Sequence, residues 1–303
     1  MPTNSVTVRV PAKVNLQLSV GPREDDGFHG LVTVFQAISI YDEISIESAA
    51  KGSGIDLSFT GDGAAGLPVD EKNLAYQATK LFAKHTKIDC DIKISINKGI
   101  PIAGGMAGGS ADAAGTLVAL DSLFETSLRK EELLKLAAKL GSDVPFSLMG
   151  GTAIGSGRGD QLTPALCRGT FHWVLAFSSQ GLSTPAVYAE SDRLRQSLDI
   201  RKPRVSEELM HALSGGDAIG LGKALVNDLQ PAAISLRPAL KMAIGAALEC
   251  KAIGAIVSGS GPTVAFLAPD EESAIDLAVA LSSTGAVTKI NRATTPVAGP
   301  KVI

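Results

Sequence analysis

The sequence predicts an α+β fold in two lobes. Period-2 apolar alternation at Val6, Val8 and Val10, at Val14, Leu16, Leu18 and Val20, and at Ile92, Ile94 and Ile96 marks strands in the first half. Helical spacing alternates with short apolar runs through the second half. A glycine-rich stretch at residues 150–159 stands between them, and the division is drawn there, giving lobes at residues 1–154 and 155–303. A chain of 303 residues suits one large or two medium domains.

The elements follow in order. Val6 to Val20 read as strand, with a bulge or bend expected near Lys13 because Pro11-Ala12 interrupts the alternation. More strand is expected over 31–40 and 44–47. Residues 52–70 carry turn residues and read as a loop with one short strand. Leu74, Ala78, Leu81 and Phe82 give residues 73–85 helical spacing, and Ile92, Ile94 and Ile96 a strand. Ala113, Ala114, Leu117, Val118 and Phe124 share a helical face. A second helix turns Leu133, Leu136, Ala137 and Leu140 inward and Lys135 and Lys139 outward, with Gly141 as its C′ residue. Residues 150–159 read as strand and turn. The second half predicts strands at 172–177, 255–258, 264–267 and 286–290, with helices near 206–213, 217–226, 238–250 and 271–283. Strands separated by helices imply a sheet covered on one face.

Composition excludes several classes. Net charge is −3, so no basic footprint for nucleic acid or an anionic membrane exists. Nine Phe, three Tyr and one Trp are too scattered for a base-stacking platform. Cys90, Cys167 and Cys250 are odd in number and form no C-x-x-C pair, as expected of reduced thiols packed in the interior. The polar start of the chain lacks the apolar core of a signal peptide, and no run of about 18 apolar residues could span a bilayer. A cytoplasmic protein is expected, with a small-molecule partner, as a monomer or homodimer.

Pro101-Ile102-Ala103-Gly104-Gly105-Met106-Ala107-Gly108-Gly109-Ser110 is the densest chemical signal. It follows a strand and precedes a helix, so its backbone N–H groups and the helix dipole converge on one point, which is a phosphate cradle. It is no Walker A loop, since Ser110 stands where lysine would be, and no dinucleotide fingerprint, H-R-D or D-F-G occurs. A glycine-rich turn with packing duties only is the alternative.

Two further motifs flank this loop. Pro11-Ala12-Lys13-Val14-Asn15 lies on an early strand, and Gly259-Ser260-Gly261-Pro262-Thr263 is a tight turn between two strands. Together the three resemble the GHMP kinases, the superfamily of galactokinase, homoserine kinase and mevalonate kinase, over essentially the whole chain. Asp26-Gly27-Phe28-His29 and Gly141-Ser142-Asp143-Val144-Pro145-Phe146 are similar to the branch whose substrate is 4-diphosphocytidyl-2-C-methyl-D-erythritol. The resemblance implies a ribosomal-S5-domain-2-like N-terminal lobe that binds ATP and a ferredoxin-like C-terminal lobe. It implies ATP-dependent phosphorylation of the substrate's 2-hydroxyl, in the non-mevalonate route to isoprenoid precursors, with Mg²⁺ arriving on ATP.

Phosphoryl transfer needs positioning, charge neutralisation and an acceptor for the hydroxyl proton. Asp143, ahead of Pro145 and a new helix, reads as either the general base or a helix cap. Lys13 can only be a charge, and without a partner it would be a solvated strand lysine. The resemblance sets Lys13 beside Asp143 as the catalytic pair and assigns Asn15, on the same strand face, to the erythritol hydroxyls. It assigns Phe28 and His29 to cytosine, with Thr184 and Tyr188 opposite. Phe28 departs from the tyrosine more usual there, and core packing is the alternative for both aromatics. Asn73 and Lys98 match positions lining the adenine side, while the residues alone allow a helix cap and a solvated turn lysine. His85, His172 and His211 show no ligand spacing, and no metal cluster is visible. A homoserine or mevalonate kinase and a silent nucleotide-binding regulator are the rivals. Asp26-Gly27-Phe28-His29 counts against the first, and retention of Lys13 and Asp143 against the second.

Overall fold

In the computed structural model, which describes residues 5–61, 63–178, 180–287 and 289–303, two long antiparallel strands form the spine of the first lobe. They are β1 (Ser5–Arg23) and β2 (His29–Ser48), the second running unbroken through the gap between the two predicted segments. Their register shifts at Pro11/Ala12 and again at Asn15/Gln17. These irregularities flank Lys13 and Asn15, where bulges re-aim side chains. β3 (Ile55–Gly61) joins β4 (Ile92–Lys98) in parallel through α1 (Leu74–Thr86), and β4 pairs antiparallel with β2. α2 (Gly108–Leu123) covers this sheet with a face of Ala111, Ala114, Leu117 and Leu120, all buried. α3 (Lys130–Leu140) ends at Gly141, whose φ of 168° is extended rather than the left-handed C′ geometry expected. α4 (Val144–Met149) follows at once.

β5 (Thr152–Ser156) pairs with β2, and β6 (Gln161–Pro164) with β5, so both belong to the first sheet. The division drawn at 154/155 therefore falls inside a strand. The chain first changes sheet between Pro164 and Phe171.

The second sheet has the order β11-β7-β10-β9, antiparallel throughout: β7 (Phe171–Phe177), β9 (Gly254–Val257), β10 (Val264–Ala268) and β11 (Lys289–Thr295). The predicted strand at 286–290 thus begins later, with Thr288 outside the described residues. The helices are α5 (Thr184–Arg195), α6 (Glu207–Gly215), α7 (Ala218–Ala224), α8 (Gln230–Leu236), α9 (Ala239–Glu249) and α10 (Glu271–Thr284). Val174, Ala176, Val264 and Phe266 pack against residues of α5, α8, α9 and α10. Trp173, Leu175, Ala265 and Leu267 join a core that includes α6, α7 and the first lobe. The sheet is covered on both faces, not one. The sign was present in Trp173-Val174-Leu175-Ala176-Phe177, which is apolar throughout and does not alternate.

α5 and α8 fall outside the predicted elements. α5 buries only Val187 and Ser191, and α8 is seven residues long, so neither shows an apolar stripe. Two short strands return to the first sheet: β8 (Val226–Asn227) runs parallel to β1 at Gln17 and Leu18, and β12 (Lys301–Val302) pairs with Val8 and Arg9. The lobes thus share β1. No described helix is long and apolar enough to cross a membrane. Cys90, Cys167 and Cys250 are free and half-buried rather than interior.

Candidate active site

Lys13 and Asn15 alternate onto one face of β1, and the Lys13 ammonium donates to Asn15 Oδ1 at 2.6 Å. Asn15 is itself oriented, since its Nδ2 donates to Thr33 Oγ1 at 2.8 Å, and Thr33 Oγ1 donates to the Gln17 carbonyl at 2.7 Å. Lys13 Nζ lies 3.8 Å from Asp143 Oδ2. Burial pulls the Lys13 pKa below its ordinary value, and the neighbouring Asp143 carboxylate pulls it partly back. Asp143 occupies the position before α4, yet its side chain makes no capping bond. Its carboxylate is about one-third exposed and faces the cavity.

The glycine segment leaves β4 and reaches α2 through alternating left-handed residues: Ala103 (φ 53°), Gly105 (φ 74°) and Ala107 (φ 58°). Such alternation turns successive N–H groups into one concavity. The first intrahelical bond runs from Ala111 N to Ala107 O, which leaves the N–H groups of Gly108, Gly109 and Ser110 outside the ladder. Gly104 and Gly105 also hold the loop against the other lobe. Gly104 O accepts from Thr263 N and Gly105 O from Ser258 Oγ, and a Cβ on Gly105 would collide with the Ser258 carbonyl oxygen. These two glycines dock the loop onto the 258–263 turn of the other lobe. Asn227 fixes that turn by donating to the carbonyls of Val257 (2.7 Å) and Gly259 (2.8 Å).

A cavity of about 320 Å³ lies against the loop, lined by Pro101, Ala103, Gly104, Gly105, Ala107, Gly108 and Gly109, and by Asn73 and Lys98. Met106 is turned into the core with 1 % exposure, and it and Ser110 do not line this cavity. Asn73 caps α1, its Oδ1 accepting from Ala75 N at 2.8 Å. Lys98 is no solvated turn residue. It is buried and bonded to Asp42 Oδ2 and, at 2.7 Å, to Asp112 Oδ2.

A second cavity of about 910 Å³ is lined by Phe28, His29, Arg158, Thr184, Tyr188 and Asp192 among others. It shares Leu31, Ser142, Arg158, Thr184 and Tyr188 with the cavity of about 280 Å³ around Lys13 and Asp143, so the two adjoin along a common wall. His29 Nε2 is 3.2 Å from Asp192 Oδ1, and its Nδ1 is 3.0 Å from the Gly21 carbonyl. The His29 and Tyr188 rings lie 5.5 Å apart at 31°. Burial, with the charge of Asp143 added, pushes the Tyr188 hydroxyl pKa up. Phe28 is 54 % exposed and carries the Arg158 guanidinium on its face. Thr184 Oγ1 and Ser260 Oγ lie 2.9 Å apart, tying α5 to the third motif.

Sequence reasoning missed Thr33, Arg158, Asn227 and the Asp42–Asp112 pair, and gave Ser260 no role beyond its place in the third motif. Asp112 carried a signal, as an acidic residue near the start of α2 among small and apolar neighbours. No group of three or more His, Cys, Asp or Glu able to hold a metal occurs among the described residues.

A glycine-rich loop opening a helix, a Lys–Asp pair lining a neighbouring cavity and a lobe-bridging turn form an arrangement suited to a small-molecule kinase. The GHMP kinases N terminal domain matches residues 73–151, and the GHMP kinases C terminal domain matches residues 209–287. The chain belongs to the GHMP kinase family. A curated relative from Mycobacterium tuberculosis, 4-diphosphocytidyl-2-C-methyl-D-erythritol kinase, is 52% identical over 305 residues, covering 100% of this chain and 94% of its own. The enzyme of the same name from Mycolicibacterium smegmatis is 51% identical, over 99% and 93%. A crystal structure of 4-(cytidine 5'-diphospho)-2C-methyl-D-erythritol kinase superposes with a TM-score of 0.78 at 32% identity, covering 95% of this chain and 98% of that one. A homoserine kinase from Cytophaga hutchinsonii reaches the same TM-score at 20% identity, a likeness of fold.

Proposed function

We propose that this chain transfers the γ-phosphate of ATP to the 2-hydroxyl of 4-diphosphocytidyl-2-C-methyl-D-erythritol, a step of the non-mevalonate route to isoprenoid precursors. The observation that carries the reading is the wall that the Phe28–His29–Tyr188 cavity shares with the Lys13–Asp143 cavity. One long substrate can then place a base in the first and a hydroxyl in the second. ATP lies along the 320 Å³ cavity, its phosphates on the loop N–H groups of residues 103–110.

Asp143 accepts the hydroxyl proton, and Lys13 keeps Asp143 ionised and balances charge that develops on the transferring phosphoryl. Asn15, its orientation fixed by Thr33, holds the erythritol hydroxyls. Cytosine sits between Phe28 and Tyr188 with its edge at His29, and Arg158, which lines both cavities, meets the diphosphate between them. Mg²⁺ fits as a cation carried by the phosphates with several waters, since the described residues build no cage for a resident one. The protein acts as a monomer or homodimer, in the cytoplasm where ATP is available. We place the lobe boundary in the 165–170 link.

A coupled ADP-release assay with 4-diphosphocytidyl-2-C-methyl-D-erythritol, homoserine and mevalonate tests the substrate. Turnover with the cytidylyl acceptor alone is expected, with phosphorus NMR locating the new ester at the 2-position. Turnover with homoserine or mevalonate alone would overturn the reading.

A further inference from the structure

Beneath the phosphate loop lies a buried group whose charges do not balance. Asp42, within β2, accepts the N–H groups of Gly99 and Ile100 with Oδ1, both at 2.8 Å, and the Lys98 ammonium with Oδ2. Lys98 also donates to Asp112 Oδ2, in the second turn of α2, and reaches the Gly108 carbonyl at 3.5 Å. One ammonium thus serves two carboxylates and ties the loop's entry to its exit. Asp42 is fully buried and Asp112 is 3 % exposed. Asp112 Oδ1 has no hydrogen-bond partner, although Asp112 lines the cavity along the loop. An unpartnered buried carboxylate oxygen is costly as an anion.

We propose that Asp112 is a proton-linked positioning residue of the phosphate loop, taking up a proton when nucleotide binds. The inference rests on the reading that this loop holds the phosphates of ATP. A nucleotide brings several negative charges to the loop directly above two carboxylates that share one cation. Protonation of Asp112 leaves one carboxylate for one ammonium and removes that repulsion. Burial already pushes the Asp112 carboxyl up to about 7, Lys98 pulling it down and Asp42 adding to the rise. Lys98 and Asp42 are the charged groups that act on it. Among the other elements against α2, the buried faces of α1 (Ala75, Ala78, Thr79, Phe82) and α3 (Leu136, Ala137) carry no charge. β1 brings Lys13, which bonds Asn15 and faces Asp143 instead. α4 is uncharged after Asp143.

The sign follows from linkage. If the bound complex holds more protons than the free protein, nucleotide affinity rises as pH falls. An increase of about one unit in the Asp112 pKa on binding gives an uptake of about 0.4 proton at pH 8 and a roughly threefold weaker affinity at pH 8 than at pH 7. Titration calorimetry of the full chain with MgADP at pH 8, in phosphate and in Tris buffer, reads the uptake from the difference in apparent enthalpy. At pH 8 the free nucleotide phosphates are already ionised. Wild type should show uptake. Asp112→Asn, which keeps shape and removes the titration, should bind MgADP without uptake and with equal affinity at pH 7 and 8. A wild-type enthalpy independent of buffer overturns the proposal without any variant. So does an uptake that persists in folded Asp112→Asn, while Asp112→Glu should retain it. Failure of wild type to bind MgADP at all would instead overturn the reading of the loop.

Discussion

Arg158 lies over the face of Phe28, its Cζ 3.8 Å from the ring centroid, while its Nη2 donates to Asp26 Oδ2 at 2.8 Å. Asp26 also accepts the Phe28 N–H, and that bond, ahead of Arg158, holds its carboxyl below the usual range. The guanidinium comes from the turn between β5 and β6, so the first lobe closes one side of the large cavity upon itself. A base stacking on Phe28 must use the other face of the ring or displace Arg158.

Arg158→Ala should therefore weaken the cytidylyl substrate more than ATP. A cation over an aromatic ring, with a charge-assisted contact to phosphate, is worth about 1–3 kcal/mol, so the substrate KM is expected to rise roughly five- to hundredfold. The ATP KM should stay within about twofold. Phe28→Tyr should be mild, because the stacking face is kept. Equal increases in both KM values would show that Arg158 supports the fold and not the substrate.

Asp143→Asn is expected to lower kcat by roughly 10²–10⁴ with little change in the ATP KM. Because the side chain makes no capping bond, the thermal midpoint should show no loss of a helix cap. Loss of a helix cap would instead cost about 1 kcal/mol of stability. Unchanged turnover with a lowered midpoint would therefore reassign Asp143 as structural.

Lys13 should set the alkaline limb of the rate. Burial lowers its pKa below 10.5, so the ammonium is lost, and kcat/KM falls, at a pH below that of an ordinary lysine. The Asp143 charge opposes this shift, so residual activity of Asp143→Asn should show the limb displaced to still lower pH. Lys13→Arg, whose guanidinium stays charged, should lose rate but also lose the limb. A limb that Lys13→Arg leaves in place belongs to another group.

What was legible in the sequence was local. The break at Pro11-Ala12 announces a register shift beside Lys13, and the crowding of glycines after Ile92-Ile94-Ile96 announces a loop opening a helix. Partners far apart in sequence were not legible. Asp26 and Arg158 are 132 residues apart, and Asn227 reaches carbonyls 30 and 32 residues away. No periodicity encodes such pairs. Lys98 was ambiguous for the same reason, since a lysine after a strand reads as solvated until Asp42 and Asp112 close around it. The sheet's second covered face is readable in the unbroken apolar run of β7.

The loop's glycines separate into two kinds, and substitution should tell them apart. Gly105 has φ of 74°, and a Cβ there would meet the Ser258 carbonyl oxygen, so alanine must both strain the backbone and push the 258–263 turn away. Gly109 has an ordinary helical position at the start of α2, and a Cβ would lie 3.7 Å from Leu74 Cδ1, a normal contact. Alanine there replaces the poorer helix former and should be neutral or stabilising by about 0.5–1 kcal/mol. Gly108 lies between these: a Cβ would come within 3.2 Å of Ile100 Cγ2 and 3.4 Å of Lys98 Nζ, so a branched residue presses on the buried lysine. Gly105→Ala is expected to lose stability and ATP affinity together, because the loop and the turn share one interface. Gly108→Val should lose ATP affinity, with a smaller loss of stability. Gly109→Ala should keep the fold, and any loss of ATP binding in that variant reports contact with the phosphates themselves. Thermal melts paired with nucleotide titrations on the three variants give the comparison. Should Gly105→Ala and Gly109→Ala behave alike in both measurements, docking onto the 258–263 turn does not explain why glycine is needed at residue 105.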